Sequence, residues 1–374
     1  MAERVARWSV LSALFLVPLV FYPGALDPFG LPKVALLWLC VFVAVGALLI
    51  SRAPPRHRLP SWRTALPALS LLAAWVMATA VSVAPWVSLR GLHDRYNGLA
   101  SLVLCEAVAC LIVVLYRNDT SRLREIAVVL AASAVLVTAY ILIQFFRLDP
   151  VVWASGGSRA YFANVNSRYP PGSLGNSNYA GATLAVMLPF TLARALAGSD
   201  RQGRARWLAA STMQAVAIWL TRSRGGLLAT IVGLAVFVFL HRQYLAVRTR
   251  RWSAVAALLI VAAAVLALAA PLVSRARLAE LAYGESVTQR WQFWKGAIGV
   301  FAAHPVLGTG PDTFYAEYGP YRPAFDGAAH GLTHPPDKPH NLYLEYAAGS
   351  GILGIGAFLM VIALSLRSAA KTLR

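Results

Sequence analysis

Acidic side chains are scarce in this sequence, with 15 Asp and Glu against 34 Lys and Arg in 374 residues, a formal net charge of +19. Charge of either sign is thin, at 13% of residues, while 58% are hydrophobic. A soluble domain carries about a quarter charged residues, so this balance excludes one and points to a polytopic membrane protein. The cations would suit a nucleic-acid partner if they covered a soluble surface. Here they cluster between apolar runs, where they set topology and meet anionic lipid or phosphate. Cysteine is nearly missing too: Cys40, Cys105 and Cys110 fall inside apolar runs without metal-ligand spacing, so they read as small packing residues and no disulfide is expected. There is no His-Glu-x-x-His pattern, no Asp-x-Asp pair, no Walker loop and no nucleophile elbow. His330, His334 and His340 are the zinc candidates, and Pro335 and Pro336, directly after the second, argue against that use. An enzyme of this composition is expected to need no metal or other cofactor.

What is present is a series of apolar stretches long enough to cross about 30 Å of hydrocarbon. They run near 8–22, 34–50, 65–84, 98–116, 125–146, 177–197, 207–221, 225–240, 253–272 and 341–366, ten expected spans in a single transmembrane domain over 1–374. The pair 207–221 and 225–240 is short and separated only by Thr221 to Arg224. Arg4 and Arg7 precede the first run with no small-residue cleavage site after it, which reads as a retained helix rather than a signal peptide. With the N-terminus inside, 20 of the 34 cations fall on cytoplasmic segments, and 6 of the others lie in one long loop where length weakens the rule. Both termini are therefore expected in the cytoplasm. The segments 23–33, 85–97, 147–176, the turn 221–224 and the long polar segment 274–340 are expected outside.

The outward segments hold the candidate chemistry. Arg222 and Arg224 stand at a membrane boundary before Gly225 and Gly226. Guanidinium forks grip phosphate bidentately, and a glycine-rich helix start lets backbone N–H groups approach an anion. The plainer reading is that they anchor to lipid headgroups. Arg290 lies in Gln289-Arg290-Trp291-Gln292-Phe293-Trp294-Lys295, an amphipathic helical pattern suited to the headgroup region or to packing alone. His340, between Pro339 and Asn341, precedes the last apolar run. At a helix start an imidazole stays neutral and can take a proton from a hydroxyl, although it can also serve only as a cap or interfacial residue. Glu106 and Glu345 are acids well inside expected spans, where a carboxylate is costly unless paired or functional. Glu345 is five residues from His340, off its helical face, and is expected to pair with an arginine.

The chain resembles the O-antigen ligase and O-antigen polymerase family (WaaL and Wzy type) of bacterial membrane glycosyltransferases. The resemblance rests on Gly175-Asn176-Ser177-Asn178-Tyr179-Ala180, on Thr221-Arg222-Ser223-Arg224-Gly225-Gly226 and on His304-Pro305-Val306-Leu307-Gly308-Thr309-Gly310. Pro339-His340-Asn341-Leu342-Tyr343-Leu344-Glu345 completes it, leading into Gly349 and Gly354, so that it covers 85–366. The resemblance implies an all-α, GT-C-like fold in the bacterial inner membrane. It implies a glycan donor on undecaprenyl pyrophosphate and transfer on the periplasmic face to lipid A-core or another glycan acceptor, without nucleic acid as a partner. It assigns Arg222, Arg224 and Arg290 to the pyrophosphate and His340 to the acceptor hydroxyl. Arg95, Asn178, Tyr179, Trp294, Lys295 and Asn341 are candidate donor or acceptor contacts. Members usually carry about two spans beyond the tenth. Segment 274–340 is then expected to act as a lid whose His340 end meets the arginines of 222–224. The alternatives are a polymerase of the same family, a cell-wall glycan polymerase, a transporter or flippase of lipid-linked sugars, and a nonenzymatic scaffold.

Overall fold

The computed structural model describes residues 1–51, 61–93, 95–116, 120–151, 166, 168–197, 200–245, 285–323 and 336–372. The helices are α1 (Ala2–Leu16), α2 (Gly30–Ile50), α3 (Trp62–Ala80), α4 (Pro85–Arg90), α5 (Leu99–Tyr116), α6 (Thr120–Phe145), α7 (Ser177–Ala197), α8 (Arg201–Leu220), α9 (Arg224–Leu245), α10 (Glu285–Ala303), α11 (Phe314–Glu317) and α12 (Leu342–Thr372). No strand occurs among the described residues. Five helices are long and apolar enough to cross a membrane: α2, α5, α6 from Ser121, α7 and α12 to Lys371. Ala65–Ala80 and Arg224–Phe239 are shorter apolar helices. The protein is thus a helical membrane protein, with five spans by length and composition among the described residues against the ten expected. The shortfall has physical reasons. α1 stops at Leu16, short of the 8–22 run, and α8 begins with the polar turn Arg201 to Arg206. The expected span 253–272 lies outside the described residues, as do His330 and His334.

The described helices divide between two compact units. One comprises α1, α2 and α6 to α9; the other holds α3, α4, all but the end of α5, and α10 to α12. In the first, α7 packs against α6, α8 and α9, burying Val137, Ile141, Leu184, Leu188, Ile218 and Phe237. Apolar packing against lipid gives little driving force, so close backbone approach and polar contacts between helices count for more. Gly226 sits against the backbone of Gly181, where an added Cβ would lie 2.8 Å from the Gly181 carbonyl carbon. Thr191 donates to Gln214 Oε1 (2.9 Å), and Gln214 Nε2 donates to the Leu184 carbonyl (2.9 Å), both fully buried. Arg7 pairs with Glu125 at 2.5 Å and Arg122 with Glu3 at 2.7 Å, so the starts of α1 and α6 lie side by side.

In the second unit, α12 packs against α3 and α10, with Phe293, Ala297, Val300, Phe314 and Tyr318 in the core. α12 is not one continuous helix. Gly351 takes φ 62 and ψ −163, which breaks the ladder inside a membrane-length element. Freed peptide groups in hydrocarbon cost several kcal/mol each. Here segment 305–310 supplies partners: Thr309 and Gly310 N–H donate to the carbonyls of Ala348 and Gly349, and Ile352 and Leu353 N–H donate to those of Pro305 and Val306. The long polar segment 274–340 therefore contains a 19-residue helix, α10, and a strap that completes the last helix.

Candidate functional site

The site in the second unit grows from the start of α12. Asn341 is its N-cap, its Oδ1 accepting from the N–H groups of Tyr343 (3.0 Å) and Leu344 (3.3 Å). The Asn341 side chain is therefore occupied in holding the helix start. His340, the residue before it, adopts φ 51, a left-handed conformation that few non-glycine residues take. This turn projects the imidazole to the surface, with one ring face against Phe293 of α10, centroids 6.0 Å apart and planes 28° apart. Partial burial pushes the His340 pKa below its ordinary value; Lys338, Arg290 and Arg95 push the same way, and Asp337 opposes them. A neutral, exposed imidazole near cations can accept a proton and then share a locality with an anion.

Directly behind this turn lies Arg95, whose side chain is only 8% exposed. Its Nη2 meets Glu345 Oε1 at 2.7 Å and Asp312 Oδ1 at 2.9 Å, the latter a contact of charge without hydrogen-bond alignment. Its Nη1 donates to the Asp337 carbonyl at 2.6 Å and lies 3.4 Å from Asp337 Oδ2. Asp312, fully buried and at φ 60, also accepts from the Leu92 N–H at 2.7 Å. Burial raises the Asp312 pKa, and the Arg95 charge and the Leu92 N–H act against that rise. Removing one partner of such a buried pair costs about 3–5 kcal/mol. Arg95 thus spends its guanidinium on protein carboxylates rather than presenting it to a ligand. A cavity of about 210 Å³ adjoins the cluster, lined by Trp75, Ser101, Cys105, Asp312, Glu345 and Tyr346 among others.

α10 places the other expected residues of this unit. Phe293, Ala297 and Val300 face its core; Arg290, Trp291 and Lys295 are exposed, the last two on the opposite face and Arg290 one turn before Phe293. Lys295 Nζ lies 5.8 Å from the Trp291 ring centroid, and Trp291 meets Trp294 edge-on at 6.1 Å. The Trp294 Nε1 is buried without a hydrogen-bond partner.

Arg222, Arg224, Asn178 and Tyr179 belong to the first unit. Arg222 has φ 55 and stands 5.4 Å from the Tyr169 ring centroid; Arg224 opens α9 and is exposed. Ser223, buried between them, caps α9 by accepting from the Gly226 N–H (3.0 Å). Across the Gly181 contact, Asn176 caps α7 through the Asn178 N–H (2.8 Å), with Asn178 and Tyr179 exposed on its first turn. Two capped helix starts, two arginines and an aromatic ring therefore share one edge, where backbone N–H groups and guanidinium groups can meet an anion.

The sequence names His340 and Arg222 as candidates through their positions beside apolar runs. It points to an arginine for Glu345, which is Arg95, and does not single out Asp312. The available signal was scarcity: with 15 acids in the chain, an acid at an expected outer boundary needs a cation to explain it. Among the described residues no group of three or more His, Cys, Asp or Glu side chains is arranged to hold a metal ion.

Residues 208–359 match the family model described as O-Antigen ligase. The matched stretch runs from α8 through the Arg222 turn, α10 and the His340 turn into α12. No curated protein and no solved structure matches the chain.

Proposed function

We propose that this protein, whose residues 208–359 match the O-Antigen ligase family model, transfers a glycan from undecaprenyl pyrophosphate to an acceptor hydroxyl. Transfer takes place on the periplasmic face of the inner membrane, with lipid A-core as acceptor. The observation that carries this is His340, held at a left-handed turn before a capped helix inside the matched stretch, with its imidazole open to the surface.

In this scheme His340 takes the proton of the acceptor hydroxyl as its oxygen attacks the anomeric carbon. The bond from that carbon to the pyrophosphate breaks, the lipid pyrophosphate leaves as an anion, and the anomeric centre inverts. Cationic side chains neutralise the leaving group, which needs little proton assistance; the candidates are Arg290 in the unit of His340, and Arg222 and Arg224 in the other unit. Trp294 and Lys295, on the same helix as Arg290, are the candidate donor contacts of this unit.

His340→Ala is expected to fold, to keep donor binding and to lose transfer by at least a hundredfold, in the range of about 10²–10⁴ for general-base removal. Extracted membranes given lipid-linked glycan and lipid A-core provide the assay, and full activity in the variant would end the base assignment. Glycolipids of a deletion strain separate ligase from polymerase. Uncapped core with accumulated lipid-linked polymer marks a ligase, and single-repeat products mark a polymerase. A second reading, translocation of a lipid-linked sugar, has one observation in its favour, the break of α12 at Gly351. A translocator would keep its activity in the His340→Ala variant.

A further inference from the structure

We infer that Arg95 is the positioning residue for His340: one buried guanidinium ties the segments before and after the imidazole to the rest of the unit and so fixes where that ring stands. The inference rests on the proposed role of His340 as base and adds to it a residue that need not touch either substrate.

The geometry of the clamp is specific. Arg95 holds the Asp337 carbonyl at 2.6 Å, three residues before His340, and Glu345 Oε1 at 2.7 Å, five residues after it. Between those two anchors the chain makes its left-handed turn at His340, which no regular ladder supports. The third anchor, Asp312, is itself held by the Leu92 N–H at 2.7 Å, so the loop around 92–95, the segment at 312 and the turn at 337–345 meet on one group. Guanidinium geometry suits this task, because two parallel N–H edges fix direction as well as distance, whereas an ammonium is a point charge. Ser101 Oγ donates to the Tyr96 carbonyl and anchors the clamp loop to α5.

The clamp also has an electrostatic consequence. The charged groups acting on the imidazole are Asp337 and Lys338 on its own segment, Arg290 on α10 and Arg95 behind the turn. Three carboxylates surround Arg95, at Asp312, Asp337 and Glu345. Removing the guanidinium takes away a cation that disfavours imidazolium and leaves those carboxylates less neutralised. The His340 pKa then rises. The base is competent only when neutral, so the acid limb of activity moves to higher pH.

Two variants separate charge from geometry. Arg95→Lys keeps the charge and loses the fork; Arg95→Gln loses both. The first readout needs no turnover: acylation of His340 by diethyl pyrocarbonate, followed by peptide mass spectrometry across pH on the full-length chain in detergent. Only neutral imidazole reacts. The reaction midpoint is expected to move upward in Arg95→Gln and to stay near the parent value in Arg95→Lys, with the limiting rate at high pH, where the imidazole is fully neutral, above the parent's in both. An unchanged midpoint and rate in both variants overturns the inference, whatever the enzyme does. The second readout is transfer from undecaprenyl-pyrophosphate-linked glycan. kcat is expected to fall about tenfold to a hundredfold in Arg95→Lys, with the donor KM within about twofold, because a displaced base costs turnover rather than binding. If both variants keep parental kcat while His340→Ala is dead, the clamp is wrong and the base assignment stands. If His340→Ala is active, the base assignment fails first.

Discussion

At the scale of single residues, the unusual feature is backbone conformation. Tyr96, Asp312, His340 and Arg222 all take positive φ although none is glycine. A left-handed L-residue costs about 1–2 kcal/mol, and such strain collects where a side chain must be aimed. A comparison at position 222 isolates that cost. Arg222→Gly and Arg222→Ala both remove the guanidinium and its contact with Tyr169, but only glycine accepts φ 55 freely. Arg222→Gly is therefore expected to be more stable than Arg222→Ala by about 1 kcal/mol, the reverse of the usual order in helices, with both equally poor in donor use. Thermal unfolding of the detergent-solubilised variants measures the difference, and an alanine variant at least as stable as the glycine one would remove strain from the account. That His340 and Asn341 stand just before the last helix was legible, because polar residues directly before an apolar run mark its start, whereas the caps made by Asn176 and Asn341 were not read from the sequence. The Arg95 cluster was not legible, since Arg95 stands 217 to 250 positions before its acidic partners and no local pattern records such a pairing.

At the scale of elements, close approach between helices decides what the α7–α9 packing tolerates. Gly225 has open space where a side chain would go, whereas Gly226 has the Gly181 backbone. Gly225→Leu is expected to change stability by less than about 1 kcal/mol, and Gly226→Leu to cost about 3 kcal/mol or prevent folding, since overpacking against backbone has no relief. Yield of monodisperse protein and thermal unfolding report the contrast; equal behaviour of the two would mean that the helices do not meet there. Hydropathy recognised α2, α5, α6 and α7 closely, because long apolar runs have no competing reading. It extended the 207–221 run too little, for α8 begins at Arg201, where Asp200 caps a polar first turn that a hydropathy window discounts. It also drew α12 as unbroken. A glycine inside an apolar pattern is compatible with a continuous helix, and the strap that splits this one arrives from segment 305–310.

At the scale of the whole molecule, the sequence gives a topology that labelling can test. The clustering of Glu3, Arg7, Arg122 and Glu125 at one end of the first unit agrees with the starts of α1 and α6 sharing a membrane side. In a background lacking Cys40, Cys105 and Cys110, Leu148→Cys and Gly319→Cys, the latter at an exposed glycine with open space for a side chain, are expected to react with a membrane-impermeant maleimide applied from the periplasm. Arg201→Cys and Lys371→Cys are expected to react only after permeabilisation. Reaction of all four from outside would reverse or scramble the assigned orientation. The helical membrane class follows from composition, while the division into two units does not, because each unit draws on segments far apart in the chain.

The broken last helix bears on how the protein is made. Residues 305–310 leave the ribosome before residues 348–353, whose peptide groups they complete. The strap is therefore already available when the interrupted helix is delivered to the bilayer, and the exposed amides of the break need never wait for a partner. Reversing that order of synthesis, by a circular permutation that places the strap after α12, would hold unpaired peptide groups in hydrocarbon during assembly, so the linear order of these two segments is itself part of what makes the fold attainable.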